Sequence, residues 1–291
     1  EGDIILDPFC GSGTTLVQAN ELCMHAIGID ISEFNAMISN CKIENYDIQE
    51  VQSTLNKINF EFDRFNYDVD IINFENELLF ELNKFNSKYF PSPEFKKWVY
   101  KGIVNEKKYS IQKEKEFLPY FYSIAKKYNI DLSEQDNETF IGNWYLNTVR
   151  KEMFFINDLI NEISDNKIKR LMQIILSRTI RSCRATTHSD LATLVEPVYT
   201  TYYCTKHKKI CKPLFSIKKW WNTYSRDTIK RIKQYAKIKT NTIQYCFTDD
   251  SRKIDIEKVI GKNLNTLLPV YNDQKIKGIF SSPPYVGLID Y

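Results

Sequence analysis

The apolar run Gly278-Ile279-Phe280-Ser281 leads into Ser282-Pro283-Pro284-Tyr285. Two consecutive prolines stiffen the backbone, so the serine and the aromatic ring on either side are held at fixed positions. Such a corner suits a flat base that carries an exocyclic amine. That amine is a poor nucleophile, because its lone pair is delocalised into the ring. The Ser282 oxygen and the Pro283 carbonyl can accept its two N–H bonds, which favours the pyramidal, nucleophilic amine and lines it up with a methyl donor. Tyr285 can stack on the base, which must leave a duplex to reach such a pocket. Standing by itself, a Pro-Pro turn after a strand would read the same way.

Far away in sequence stands Asp7-Pro8-Phe9-Cys10-Gly11-Ser12-Gly13-Thr14. Its two glycines allow a ligand close to the backbone at a helix N-terminus; a tight structural turn is the plainer reading. Position 16 is Leu16, so the three-glycine dinucleotide fingerprint is absent and a nicotinamide dehydrogenase is disfavoured. Asp30 comes 23 positions after Asp7, at the end of a second apolar run, where an acid can accept both hydroxyls of a ribose. It could equally cap a helix. Asp249-Asp250 follows a later apolar run, where a carboxylate would face an adenine amine, although a turn-forming pair looks alike.

The elements that must position these residues are legible as periodicity. Asp3-Ile4-Ile5-Leu6 predicts a buried strand, Thr14 to Leu22 a helix, His25 to Ile31 a second strand, and Glu33 to Lys42 a helix capped by Ser32. This is the opening of a doubly wound α/β sheet. From about Tyr46 the alternation stops, and aromatic-rich segments with helical spacing follow. Thr200 to Pro213 looks like a β-hairpin instead. Alternation resumes with a strand over Thr242 to Phe247, a helix over Asp255 to Leu268 and a strand over Lys277 to Phe280. The expected division is a discontinuous core, 1–45 plus 242–291, interrupted by an inserted region, 46–241.

Together these motifs resemble the DNA amino-methyltransferases that make N4-methylcytosine or N6-methyladenine. The resemblance covers about residues 1–45 and 242–291. It implies a Rossmann-like class I methyltransferase core, incomplete here at about four strands lying in the order 3-2-1-4, with a large, mainly α inserted domain. It implies S-adenosylmethionine as cofactor, held by Asp7, Phe9, Gly11, Gly13, Asp30 and Asp250, and Ser282, Pro283, Pro284 and Tyr285 as the catalytic corner. Segment Ser182 to His188 looks like the family's inserted region. Serine at the first motif position is similar to the N4-cytosine enzymes, and Asp or Asn to the N6-adenine ones, so cytosine is favoured and adenine stays open. A C5-cytosine enzyme is disfavoured, because the chain has no Pro-Cys dipeptide. An RNA or tRNA guanine methyltransferase can share the glycine loop, and a non-catalytic DNA-binding subunit could keep the scaffold.

The 291 residues carry a formal charge of only +3, but the charge is unevenly spread. Residues 167–239 hold 18 Lys and Arg against 3 acids, whereas residues 1–166 hold 16 against 28. Within the basic stretch lie Arg181, Arg184, Lys206, Lys208, Lys209, Lys218, Lys219, Arg226 and Arg231, interleaved with Trp220, Trp221 and Tyr224. It is a candidate double-stranded DNA surface, in competition with a solvated helical face; the tryptophans read more simply as core. The same stretch contains Cys204-x2-His207-x3-Cys211, with Cys183 upstream. These could supply a structural zinc or be ordinary hairpin residues; the catalytic assignment includes no metal. Seven scattered cysteines argue for a reducing cytoplasm rather than a disulfide framework, and no segment reads as membrane-spanning. Both ends read as cut. The expectation is a truncated or split chain, inactive alone, whose partner is a missing C-terminal half or a second chain.

Overall fold

The run Ile4–Asp7 (β1) is buried along its whole length, as a parallel strand covered on both faces should be. The computed structural model to which it belongs describes residues 2–65, 69–130, 138–191, 193–256 and 275–282. After β1 come α1 (Thr14–Glu21), β2 (His25–Asp30), α2 (Glu33–Ile43), α3 (Ile48–Phe65), α4 (Val69–Tyr89), α5 (Glu94–Tyr100) and α6 (Glu106–Lys127). They are followed by α7 (Phe140–Trp144), α8 (Asn147–Asn161), α9 (Asn166–Ser182), β3 (Tyr202–Cys204), β4 (Lys209–Cys211), α10 (Lys218–Ile238), β5 (Gln244–Thr248) and β6 (Ile276–Ile279). The helix predicted over Asp255 to Leu268 lies almost wholly outside the described residues. No helix among the described residues is long and apolar enough to cross a membrane.

The chain divides into two compact units. One comprises Glu1–Ser53, Ile163–Ile174 and Arg226–Tyr291, the other Thr54–Glu162 and Ile175–Ser225. The first contains a four-stranded sheet in the order β5-β2-β1-β6, parallel throughout. Renumbered along the core alone, this is the order 3-2-1-4 that the family resemblance implies. Because side chains alternate along a strand, the core splits into two layers. Ile5, Ala26 and Cys246 face Leu16 and Ala19 of α1 and Ala36 and Ile43 of α2. On the other face Ile4, Leu6, Ile27, Ile29 and Phe247 pack with Ile254 and Ile256. Ser32 caps α2, its hydroxyl accepting the Asn35 N–H at 3.4 Å. This unit is a Rossmann-like α/β core.

Long chain separations inside this unit are bridged by two side-chain amides, one buried and one half-buried. Asn20 of α1 donates to the Gln244 Oε1 at 2.7 Å and accepts the Thr240 N–H at 3.0 Å. Asn40 of α2 pairs with both backbone groups of Cys246, at 2.8 Å each. Cys246 turns those groups away from β2, so the amide satisfies part of the outer edge of β5.

The second unit is mainly α-helical. Its core is aromatic: Phe74 meets Phe215 edge to face at 4.9 Å, and Phe90 meets Phe95 in the same way. Trp221 is fully buried, and its Nε1–H donates to Asn59 Oδ1 at 2.8 Å, the partner that a buried indole needs. The expected hairpin is present as antiparallel β3 and β4, with Tyr202 opposite Cys211. Asn86 of α4 clamps it by bonding both the N–H and the C=O of Ile210 at 2.9 Å.

Candidate active site

All four strands of the parallel sheet end at one edge, where Asp7 and Asp30 close β1 and β2, and Asp250 and Ser282 follow β5 and β6. β1 sits between β2 and β6. The chain winds from β1 through β2 to β5, and β6 lies on the other side, so β1 and β6 flank the topological switch point where such sheets hold ligands. At the end of β1, Asp7 accepts the Phe9 N–H at 3.1 Å and is itself buried. Cys10 donates its N–H to the Ile29 carbonyl at 2.9 Å, while the Phe9 ring is 42% exposed.

Gly11 and Gly13 both have left-handed backbones, at φ +53° and +78°, but they do different things. A Cβ on Gly13 would lie 2.7–2.9 Å from Ser39 Oγ, Cβ and Cα, so that glycine lets the loop pack on α2. A Cβ on Gly11 would meet nothing closer than the Phe9 carbonyl at 4.0 Å, so that side of the loop is open. Gly13 is also the N-cap of α1, without a side-chain cap and without an acid in the first turn. The helix therefore presents uncapped N–H groups and the positive end of its dipole at the loop.

Asp30 gathers the loop. Its Oδ2 accepts the Gly11 N–H at 2.7 Å, and its Oδ1 accepts the Ser32 N–H at 2.9 Å and Asn35 Nδ2 at 3.1 Å. A carboxylate has about four acceptor positions, so three such bonds leave room for one further donor. Asp249 donates its N–H to the Asp30 carbonyl at 3.1 Å, which brings the end of β5 beside the end of β2. The Asp250 carboxylate is held by Arg252, through Nε at 3.0 Å and Nη2 at 2.7 Å. These bonds hold Asp250 well below the usual carboxylate range. On the other side of β1, the Phe280 N–H bonds the Leu6 carbonyl at 2.9 Å, and Ser282 follows, exposed. Pro283, Pro284 and Tyr285 lie outside the described residues.

Several supporting residues escaped the sequence reading. Ser39 Oγ donates to the Gly11 carbonyl at 3.0 Å, and Lys42 Nζ to the Ser12 carbonyl at 2.6 Å. Burial lowers the Lys42 ammonium from its ordinary value. Gly28 in β2 makes room for Cys10: a Cβ there would sit 2.5 Å from Cys10 Sγ. A glycine inside a buried strand was the available signal. Burial pushes the Cys41 thiol up to about 11. Cys246 is raised too, first by its hydrogen bond with Cys10 and then by burial.

In the second unit the basic residues serve two purposes. Lys208 pairs with Glu106, and Lys218 with Asp63. Lys212, not singled out from sequence, pairs with Glu75. Arg181, Lys206, Lys209 and Lys219 are exposed. Trp221 is core, as expected, while Trp220 stacks on Tyr224 at 5.4 Å. The zinc ligands considered from sequence regroup: His188, Cys204, His207 and Cys211 come together among the described residues, and Cys183 is not part of the cluster.

A Rossmann-like parallel sheet with an open glycine loop after its first strand and an acid ending the second is a framework for holding a nucleoside cofactor. Residues 1–40 match the model of the DNA methylase family. Across 294 aligned residues the whole chain is 41% identical to Type II methyltransferase M.MjaII of Methanocaldococcus jannaschii, covering 55% of it. These likenesses support an amino-methyltransferase of the DNA methylase family, whose methyl donor is S-adenosylmethionine. It spans about half the length of that relative. A shorter likeness, 36% over 73 residues and 21% of either chain, is to the tRNA (guanine(10)-N2)-dimethyltransferase of the same organism. No solved structure matches.

Proposed function

We propose that the protein containing this chain is a site-specific DNA methyltransferase. It moves a methyl group from S-adenosylmethionine to the exocyclic amine of a base extruded from double-stranded DNA, N4 of cytosine in preference to N6 of adenine. A restriction-modification system in the cytoplasm is the setting such an enzyme suits. The observation that carries the reading is the hydrogen bond from Phe280 N to the Leu6 carbonyl, 2.9 Å. It pairs β6 with β1, so two motifs some 270 positions apart start from one sheet edge.

The residues fit the cofactor. The open side of Gly11 and the uncapped N-terminus of α1 suit a carboxylate-bearing ligand. Asp30 has an acceptor position left for a ribose hydroxyl, and Asp250, steadied by Arg252, stands at the adenine end. Asp7 and Gly13 shape the loop, and Phe9 offers an exposed ring. When bound, S-adenosylmethionine supplies an electrophilic methyl group. Ser282 and the Pro283 carbonyl accept the amine's N–H bonds, Pro284 stiffens the corner, and Tyr285 stacks on the base. Residues 46–241 form the target-recognition insertion, with exposed basic side chains for phosphates. A further segment of the protein or a partner chain completes the enzyme.

Nucleoside mass spectrometry of DNA treated with the full-length protein tests this. N4-methylcytosine is expected, and Ser282→Ala should lower kcat by about 10²-fold or more, as loss of one transition-state donor or acceptor does. N6-methyladenine would reassign the base; unmodified DNA would sink the proposal. The second relative favours an alternative, tRNA guanine methylation. Offering duplex DNA and tRNA in parallel separates the two.

A further inference from the structure

We propose that His188, Cys204, His207 and Cys211 bind a structural zinc ion. Their ligand atoms all lie within 4.8 Å of one another. Three separations can be compared with a real coordination shell: Cys204 Sγ to His207 Nδ1 is 3.5 Å, Cys211 Sγ to His207 Nδ1 is 3.6 Å, and Cys204 Sγ to His188 Nδ1 is 3.7 Å. A tetrahedral zinc with Zn–S near 2.3 Å and Zn–N near 2.0–2.1 Å sets sulfur and nitrogen about 3.6 Å apart. A thiol–imidazole hydrogen bond explains any one of these distances. It does not require four ligand atoms on three stretches of chain to converge on one point.

The backbone is shaped for the same purpose. Cys204 ends β3 and Cys211 ends β4, and the turn between them carries His207. Lys208 adopts φ +55° and donates its N–H to the Cys204 carbonyl at 2.7 Å. The His207 N–H points at Cys204 Sγ, 3.4 Å away, an interaction that stabilises a thiolate. A left-handed lysine is unusual; here it closes the turn that leads the chain back into β4 and Cys211. Ser189 and Thr205 share a hydroxyl hydrogen bond at 2.9 Å, which holds the His188 segment against the turn.

The charges balance. Each cysteine gives up its thiol proton to solvent, and two thiolates neutralise one Zn²⁺, with both imidazoles neutral. Four protein ligands leave no open position, so the ion is structural and does not touch the methyl-transfer reaction. What it stabilises is clear from the elements: two three-residue strands, too short to persist alone, and a segment after α9 with little regular structure. Cys183, the cysteine nearest His188 in sequence, is buried outside the cluster.

The test is metal analysis of the full-length protein, purified without chelators or metal-affinity resin. About one zinc per chain is expected. It should be lost in His207→Ala, whose ligand is the exposed one, and in His188→Ala, but kept in Cys183→Ser. If the histidine variants do not fold, cobalt loading of the wild-type protein decides: tetrahedral d–d bands with thiolate-to-cobalt charge transfer are expected. Protein that is zinc-free from zinc-replete cells and gives no cobalt spectrum overturns the proposal. So does a Cys204–Cys211 disulfide in the freshly isolated protein, or zinc content that follows Cys183 instead of His188.

Discussion

Gly11 and Gly13 sit two positions apart with similar dihedral angles, yet their replacement should have opposite signatures. In Gly13→Ala the new methyl meets Ser39 at 2.7–2.9 Å, including its Cα. Either the loop or α2 must move, and left-handed strain adds to the clash. We expect a loss of about 1–3 kcal/mol in folding stability, measured by urea unfolding. In Gly11→Ala the methyl meets only the Phe9 carbonyl, at 4.0 Å, so the stability cost should be about 1–2 kcal/mol from the backbone alone. Its larger effect should be on S-adenosylmethionine affinity, read by calorimetry, because the methyl enters the open side of the loop. Unchanged cofactor affinity in Gly11→Ala would move the ligand elsewhere. The sequence pattern showed both glycines and Asp30 but could not rank them. What separates them is Ser39, on a different element 26 positions from Gly13, and no local pattern reveals which face of α2 meets the loop.

At the scale of elements, the return of the chain to the sheet after two hundred residues depends on a few side chains. His25, at the start of β2, accepts the Ile243 N–H on Nδ1 at 3.0 Å, and Ala26 donates to the Ile243 carbonyl at 3.1 Å. Together they set where β5 begins. An accepting Nδ1 needs a neutral ring, and burial lowers the His25 pKa from its ordinary value. The unfolded chain therefore takes up the proton first as pH falls through about 6.5, and the folded state is penalised. The His25 contribution is complete above that pH and is lost toward the lowered folded pKa. The urea midpoint should thus fall between about pH 7.5 and about pH 5.5 by more in the wild type than in His25→Gln. His188 and His207 are present in both and cancel; equal pH slopes would refute the assignment. Strand positions were legible, because continuous apolar runs ending in Gly or Asp mark buried parallel strands; the sheet order was implied only by the family resemblance. Asn20 and Asn40 were not legible as strand-edge partners. Asparagine in a helix pattern reads as a surface residue until the strand it serves, more than 200 positions away, is in place.

For the whole molecule the question raised by the proposed function is which cations would meet DNA. Composition puts 18 basic residues in positions 167–239, but burial and pairing separate them into groups with different physical effects. Lys208 and Lys212 are half-buried beside Glu106 and Glu75, where they tie the hairpin to α6 and α4. Their replacement by alanine should weaken folding and leave the salt dependence of DNA binding unchanged. Arg181, Lys206 and Lys219 are exposed, so their charge is available to phosphates. Each phosphate contact contributes about 0.9 to the slope of log K against log salt. Replacing all three by alanine in the full-length protein should flatten that slope by up to about 0.9 per residue, without shifting the urea midpoint. Fluorescence anisotropy at several salt concentrations measures both the slope and the affinity. A loss of affinity with an unchanged slope would mean that these residues act through shape or base contacts. An unchanged affinity would remove this basic face from the DNA footprint and leave recognition to the rest of the protein.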